Sequence, residues 1–262
     1  MNTQAWIHHF EINTRLNDHL ELPDVPCTLP ETVRGHLAAS IATFQLGESG
    51  TGSRLRRYAR EVAPLENFRG YQRAIDLFIA EEQSHSQLLA KVVGHLGGTL
   101  LTKQWTNSVF RRLRFLVNLE FAVQVLLTAE LIAEVYYGTL YLRADDPVVH
   151  RMSQKILRDE MKHLVFQREF LSERVAIFSP IGRWLWRCQF QAIHAVTATV
   201  VAWDHRLALR ALGVSPADFR RRCLHAWERF QSRLEQSVET CASGQNAIVS
   251  GVPGAGLRRM DR

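Results

Sequence analysis

Two short segments of this 262-residue chain place glutamate three residues before histidine: Glu82-Gln83-Ser84-His85 and Glu160-Met161-Lys162-His163. On a helix that spacing sets both side chains on adjacent turns of one face, where a carboxylate oxygen and an imidazole nitrogen can reach one cation together. Each pair is preceded, roughly thirty residues upstream, by a further glutamate, Glu48 for the first and Glu130 for the second. The half-pattern "Glu, then Glu-x-x-His" therefore occurs twice, an internal repeat in chemistry though hardly in sequence.

The phase of the surrounding apolar residues points these groups inward. Glu82 and His85 share a three-four stripe with Ile75, Phe78, Leu89, Val92 and Leu96, the spacing of a core-facing helical seam. Glu48 interrupts the stripe of Leu37, Ile41, Phe44, Leu55 and Tyr58. Glu130 sits with Val123, Leu127, Glu134, Tyr137 and Tyr141, and Glu160 and His163 with Val149, Met152, Ile156 and Phe170. Buried carboxylates cost several kcal/mol each unless paired, neutralised or bound to a cation, so four aimed at one interior call for metal. A set of surface ion pairs is the alternative, and it requires the helix phase to be wrong in all four segments.

Neighbouring groups carry less decided expectations. Glu81 and Asp159 fall off the stripes and are expected behind the ligands or in solvent. Glu134 is a candidate catalytic residue with three open roles: an extra ligand, a proton relay, or a core carboxylate paired with arginine. Tyr137, one turn on, is a second catalytic candidate, weighed against simple packing. Gly47, Gly50 and Gly52 disfavour helix and imply close packing or room beside the metals, packing being preferred. His194 and His205 lack the paired geometry, although His194 lies in an apolar helix.

Six long helices must position these residues, at about 31–61, 65–96, 107–142, 147–174, 182–212 and 216–240. Ala63-Pro64 and Asp145-Asp146-Pro147 read as tight turns, the second with aspartate as N-cap and proline at the first helical position. Short turns make antiparallel hairpins, and a longer stretch at 97–106 separates them as a crossover would. Glu48 and Glu82 lie nearly equidistant from the first turn, and Glu130 and Glu160 from the second, so all four fall at one height. The expected organisation is all-α: an N-terminal arm at 1–30 broken by Pro23, Pro26 and Pro30, a bundle at 31–242 including two C-terminal helices, and a flexible glycine-rich tail at 243–262.

The segments FQLGESG, IAEEQSH, TAELIAE and LRDEMKH resemble the ferritin-like di-iron carboxylate superfamily over residues 31–174. The resemblance implies a four-helix bundle of two hairpins with a crossover, holding two iron ions between its helices. By the resemblance, Glu48, Glu82 and His85 hold one iron, Glu130, Glu160 and His163 the other, and Glu82 and Glu160 bridge. An Fe/Mn pair stays open. Within the superfamily the chain is more similar to oxygenase-type members such as the p-aminobenzoate N-oxygenases, although those add a histidine one turn before the second Glu-x-x-His, where Ile156 stands here.

The implied activity is that of an oxygen-activating di-iron oxidase or monooxygenase on a small organic substrate, using dioxygen and an external reductase. Iron oxidation or peroxide removal of the ferritin and rubrerythrin kind is an alternative, as is a basic helical scaffold or a tRNA-hydroxylase-like RNA binder. The chain has no nicotinamide or flavin fingerprint, and Cys27, Cys188, Cys223 and Cys241 are too scattered for a rubredoxin set or a disulfide framework. With 32 Lys+Arg against 26 Asp+Glu it is basic, and its arginine clusters at 54–60, 111–114 and 220–222 are expected to be solvated helix faces rather than a nucleic-acid surface. The N-terminus carries no secretory pattern, and the apolar run at 192–203 is too short to span a bilayer. A cytoplasmic protein that does not engage a membrane is expected, with a homodimer among the arrangements its aromatic C-terminal helices permit.

Overall fold

The computed structural model describes residues 1–18, 20–65, 68–102 and 119–250, and among them the secondary structure is helical without strands. Helix α1 spans Thr3–Asp18, α2 Glu31–Glu48, α3 Ser53–Val62, α4 Tyr71–His95, α5 Leu119–Arg143, α6 Pro147–Ala176, α7 Pro180–Asp204, α8 Arg206–Ala211 and α9 Pro216–Ser250. The most extensively packed pairs are α5 with α6 and α2 with α4, the two expected hairpins. They join through α4 and α6, while α1 lies on α4 and α7 and α9 cover α5 and α6. The expected helix start at 107 and the last part of the crossover, 103–106, lie outside the described residues.

The second hairpin turns as its sequence predicts. Asp146 caps α6 by accepting the Val148 and Val149 backbone N–H groups, each at 3.0 Å, with Pro147 at the first helical position. Its other oxygen accepts the Thr28 N–H at 3.1 Å and His95 Nε2–H at 3.1 Å, which ties the chain before α2 and the end of α4 to the same cap. Burial opposes charge on the Asp146 carboxyl, but the backbone donors and His95 outweigh it and hold the pKa down at about 2.

The first hairpin departs from expectation. Instead of one helix at 31–61, α2 stops at Glu48 and α3 begins at Ser53. Gly52 has φ 62°, and a Cβ there would stand 2.5 Å from Ile79 Cδ1, so the bend needs glycine on both conformational and steric grounds. At the N-terminus the prolines break the chain only after α1 has formed, and α1 buries Trp6 and Phe10 against the bundle. The helix expected at 182–212 divides at His205. Helix α9 runs past residue 242 to Ser250, and the remainder of the expected tail lies outside the described residues.

Apolar side chains gather in two clusters. One holds Leu37 and Ile41 of α2, Leu89 and Val92 of α4, Tyr136 and Leu140 of α5, and Val149 and Ile156 of α6. The other holds Val62 of α3, Ile75 and Phe78 of α4, Val123 and Leu127 of α5, and Phe166 and Phe170 of α6. Each arm of the two hairpins thus changes from one cluster to the other along its length. The change comes at Glu48, at Glu82 and His85, at Glu130, and at Glu160 and His163, so these polar groups form a layer between two apolar ends.

The segment Val123–Arg143 of α5 is long and apolar enough to cross a membrane by length and composition, with mean hydropathy 1.3. Packing on α6, α7 and α9 leaves it mostly buried inside the bundle, as a helix apolar on all sides must be. Trp186 and Trp227 fill the junction of the C-terminal helices, whereas Trp184 and Trp203 are exposed.

Candidate metal centre

Helices α4 and α6 bring the two Glu-x-x-His pairs face to face. His85 Nδ1 lies 3.9 Å from Glu82 Oε1 and 3.7 Å from Glu160 Oε1. His163 Nδ1 lies 3.1 Å from Glu82 Oε1 and 3.6 Å from Glu160 Oε2. Each histidine therefore turns the same ring nitrogen toward both glutamates, and both glutamates stand between the histidines. Ligand atoms of Glu48, Glu82 and His85 gather within 4.8 Å of one another, as do those of Glu82, Glu160 and His163.

The outward ring nitrogens are held crosswise. His85 Nε2–H donates to Asp159 on α6 at 2.8 Å, and His163 Nε2–H donates to Glu81 on α4 at 3.4 Å. The acid preceding each Glu-x-x-His thus supports the histidine of the opposite helix. Both Glu81 and Asp159 are buried, Lys155 pairs with both, and Asn13 of α1 donates to both. Bonding at Nε2 leaves Nδ1 as the free lone pair, which is how ligating histidines are oriented. Stripe position alone leaves Glu81 and Asp159 undecided between support and solvent; the repeated acid-Glu-x-x-His pattern is the signal that marks them. Asn13 carries no such signal, because the proline-broken arm does not read as a helix.

Glu130 is buried, with Gln167 donating to its Oε1, and it shares a cavity wall with Glu48, Glu82 and Glu160. All six expected ligands therefore meet in one layer. Their inward atoms Glu82 Oε1, His85 Nδ1, Glu130 Oε2, Glu160 Oε2 and His163 Nδ1 are buried without a hydrogen-bond partner among the described residues. Orphaned buried polar atoms are rare in folded proteins, and these converge with the oxygen and nitrogen donors that iron takes. The residues present could thus hold metal, with Glu130 beside rather than within the two groups whose ligand atoms come together.

The protonation behaviour says the same. Burial lifts the carboxyls of Glu48, Glu130 and Glu160 above the ordinary range, with the Glu82 charge adding to each. Burial pushes on Glu82 in the same direction, but its close charge interactions with His163 and His85 prevail and bring it down to about 2. Burial also opposes charge on His85 and His163, but the surrounding carboxylates overcome it and raise both. Without cations, the cluster holds protons in their place.

The two catalytic candidates part company. Glu134 does not line the cavity; its carboxylate is 3.6 Å from Arg229, the arginine-paired arrangement. Tyr137 is fully buried against Phe44, ring centres 5.6 Å apart, and its hydroxyl has no hydrogen-bond partner among the described residues. Burial, with the charges of Glu48 and Glu160, holds that phenol well above its usual range. His194 is a core residue whose Nε2–H donates to the Cys223 carbonyl at 2.9 Å. The Cys27, His95 and Asp146 group at the α6 cap has its carboxylate already engaged by backbone N–H groups.

A cavity of about 500 Å³ opens onto this layer, and Glu48, Glu82, Glu130 and Glu160 form part of its wall. The break between α2 and α3 forms another part, including Gly47, Gly50 and Gly52. A Cβ on Gly47 would meet nothing within 4 Å and one on Gly50 only a carbonyl at 3.9 Å, so these two leave room beside Glu48 rather than serving the packing expected of them. Comparison with known proteins yields no matching family, no matching curated protein and no matching solved structure.

Proposed function

We propose that the chain is an oxygen-activating non-haem di-iron oxidase or monooxygenase built on a ferritin-like bundle, acting on a small organic substrate with electrons from an external donor. The observation that carries this reading is the set of orphaned inward atoms on Glu82, His85, Glu130, Glu160 and His163 beside an open cavity. Glu48, Glu82 and His85 would hold one iron and Glu130, Glu160 and His163 the other, and Glu82 and Glu160 would be shared as the resemblance implies. When bound, the irons supply the one-electron steps by which dioxygen is reduced and substrate oxidised.

The chain's own residues do the rest. Asp159 and Glu81 keep the Nε2 protons and fix both imidazole rings, so neither ring must reorganise as metal binds. Phe78, Ile79, Leu126 and Ile132 give the cavity an apolar part of its wall, against which an organic substrate can pack. A cavity of about 500 Å³ with an apolar part to its wall gives an organic substrate room beside the ligands, which favours an oxygenase over the ferritin alternative.

The test is metal content per chain after expression with iron, followed by oxygen uptake by the chemically reduced protein with and without candidate substrates. About two irons per chain and substrate-dependent uptake support the reading. A chain that takes up no iron after reconstitution overturns it.

A further inference from the structure

Helix α7 turns an unusual side to solvent. Its acidic and basic residues are Arg183, Arg187 and Asp204, with His194 in the core, and the stretch from Cys188 to Trp203 has no lysine, arginine, aspartate or glutamate. The inner side packs on α5 and α9, and Thr197 and Val201 reach the cavity. The outer side is left open: Ile181, Trp184, Leu185, Val196 and Trp203 are each 55–72% exposed, and Cys188, Ala192 and Thr199 between them are exposed as well. The five large side chains together show roughly 700 Å² of apolar surface, taking about 150–250 Å² for each when fully open, whereas the largest patch on an ordinary monomer is about 300–600 Å².

The open residues follow a rule of spacing. From Ala192, exposed positions fall four, seven and eleven residues away in both directions: Cys188, Leu185 and Ile181 toward the start of the helix, Val196, Thr199 and Trp203 toward its end. An eleven-residue repeat makes three turns at about 3.67 residues each, so the stripe runs nearly straight along α7 instead of winding off the face, over about 33 Å from Ile181 to Trp203. Because the pattern reads the same from both ends, a second α7 laid antiparallel with its Ala192 on this one meets an exposed residue at every step. Ile181 falls against Trp203, Leu185 against Thr199, and Cys188 against Val196. Bulk lies at the ends and the smallest residue at the centre, which lets two helix axes approach to about 8–10 Å.

We infer that the outer face of α7 is the interface of a symmetric homodimer, with its two-fold axis at Ala192. A two-fold contact uses one patch on both partners and so requires a surface that fits itself, which the mirrored spacing provides. The apolar area is close to the ~800 Å² that each partner gives to a stable interface. A helix lying on a lipid surface is fringed with lysine and arginine along its polar side, and α7 has none beyond Arg187, which is turned to Glu235 of α9 at 2.6 Å. The inference stands apart from the metal reading and uses none of the six ligands. Thr197 and Val201 lie on the cavity side of the same helix, so the partner braces that wall from behind.

Sedimentation velocity of the full chain at micromolar concentration should give twice the 30.0 kDa chain mass. L185E combined with V196E sets unpaired carboxylates into the interface from both copies and should return the mass to that of one chain. Helix content by circular dichroism and iron loading should stay as in the unaltered protein, because both positions are exposed within a single copy. A192C in a C188S background brings one thiol from each copy to the axis and should close a disulfide-linked dimer under mild oxidation. E228C in the same background, exposed on α9, should not. A one-chain mass for the unaltered protein, a dimer that survives L185E with V196E, or an A192C variant that cross-links no better than E228C overturns the inference. Co-sedimentation of single chains with vesicles of phosphatidylcholine and phosphatidylglycerol would also overturn it and assign the face to lipid.

Discussion

The segments at 81–85 on α4 and 159–163 on α6 share the pattern acid-Glu-x-x-His, yet they sit in unequal surroundings. His163 is enclosed by aromatic rings, with Phe78 at 4.6 Å and Phe10 at 6.1 Å between ring centres. No such cage is found around His85 among the described residues; its support is polar, a 2.8 Å bond to Asp159, itself paired with Lys155. Glu82 keeps 16% of its side-chain surface exposed, against 2% for Glu160. A repeated ligand motif thus need not carry repeated energetics: aromatic packing adds to the polar support of His163 in the α6 half, whereas His85 in the α4 half rests on polar support, and both halves meet the cavity through Glu82 and Glu160.

The largest effect should come from removing the shared glutamates. E82A and E160A should each take the protein from about two irons to fewer than one, because each carboxylate stands between both histidines. Elemental analysis of the purified variants checks this. Full loading in either variant would break the symmetry of the scheme and remove that glutamate from the ligand set, whereas loss of one ion in one variant and both in the other would locate the bridge.

The outer acids test the inequality directly. D159N should weaken iron binding by roughly 10–100-fold, as loss of a histidine's outer partner does elsewhere. E81Q should cost less, because its bond to His163 is longer, at 3.4 Å, and the aromatic cage still orients that ring. Competition with a chelator measures both. An equal loss would show that packing contributes nothing to the α6 half.

Uptake should also depend on pH, with a sign set by the protons the metal displaces. His85 and His163 hold theirs above the ordinary histidine range, and Glu48, Glu130 and Glu160 above the ordinary carboxylate range. Iron binding must release these protons, so affinity should fall as pH is lowered through neutrality, with more than about one proton freed per ion. Chelator competition across a pH series gives the slope. A flat profile would mean that the metal-free cluster is not protonated.

Much of the centre is legible in the sequence because helical periodicity converts spacing into direction. Four glutamates and two histidines in core phase, at mirrored distances from two signed turns, place themselves once the helices are granted. What is not legible depends on contacts remote in sequence. The need for glycine at position 52, in the break after Glu48, comes from the clash a side chain there would have with Ile79, a partner on another helix. Glu81 and Asp159 lie off their own stripes, and their burial comes from Asn13 and Lys155 closing over them. His205 gains its place on the cavity wall from the end of α7, where periodicity stops carrying information. In the first thirty residues the prolines are the strongest signal, and they govern only the stretch after α1.

Asn13 offers the finest test of the two halves, because its amide donates to Glu81 and Asp159 together. Among the described residues it has no hydrogen bond to either histidine, so its polar influence on metal passes through the outer acids. N13A removes a hydrogen bond of about 1 kcal/mol from carboxylates that keep their other partners, so iron affinity should drop only severalfold. Measured beside the outer-acid variants, the change should shrink in D159N and in E81Q, since each has already lost one of the acids through which Asn13 acts. Shrinkage in D159N alone would mean that α1 supports only the electrostatically held half, and the rigidity of the α6 half would then come entirely from its aromatic cage. Strict additivity in both would show that α1 acts by shielding the site from water rather than by orienting its acids.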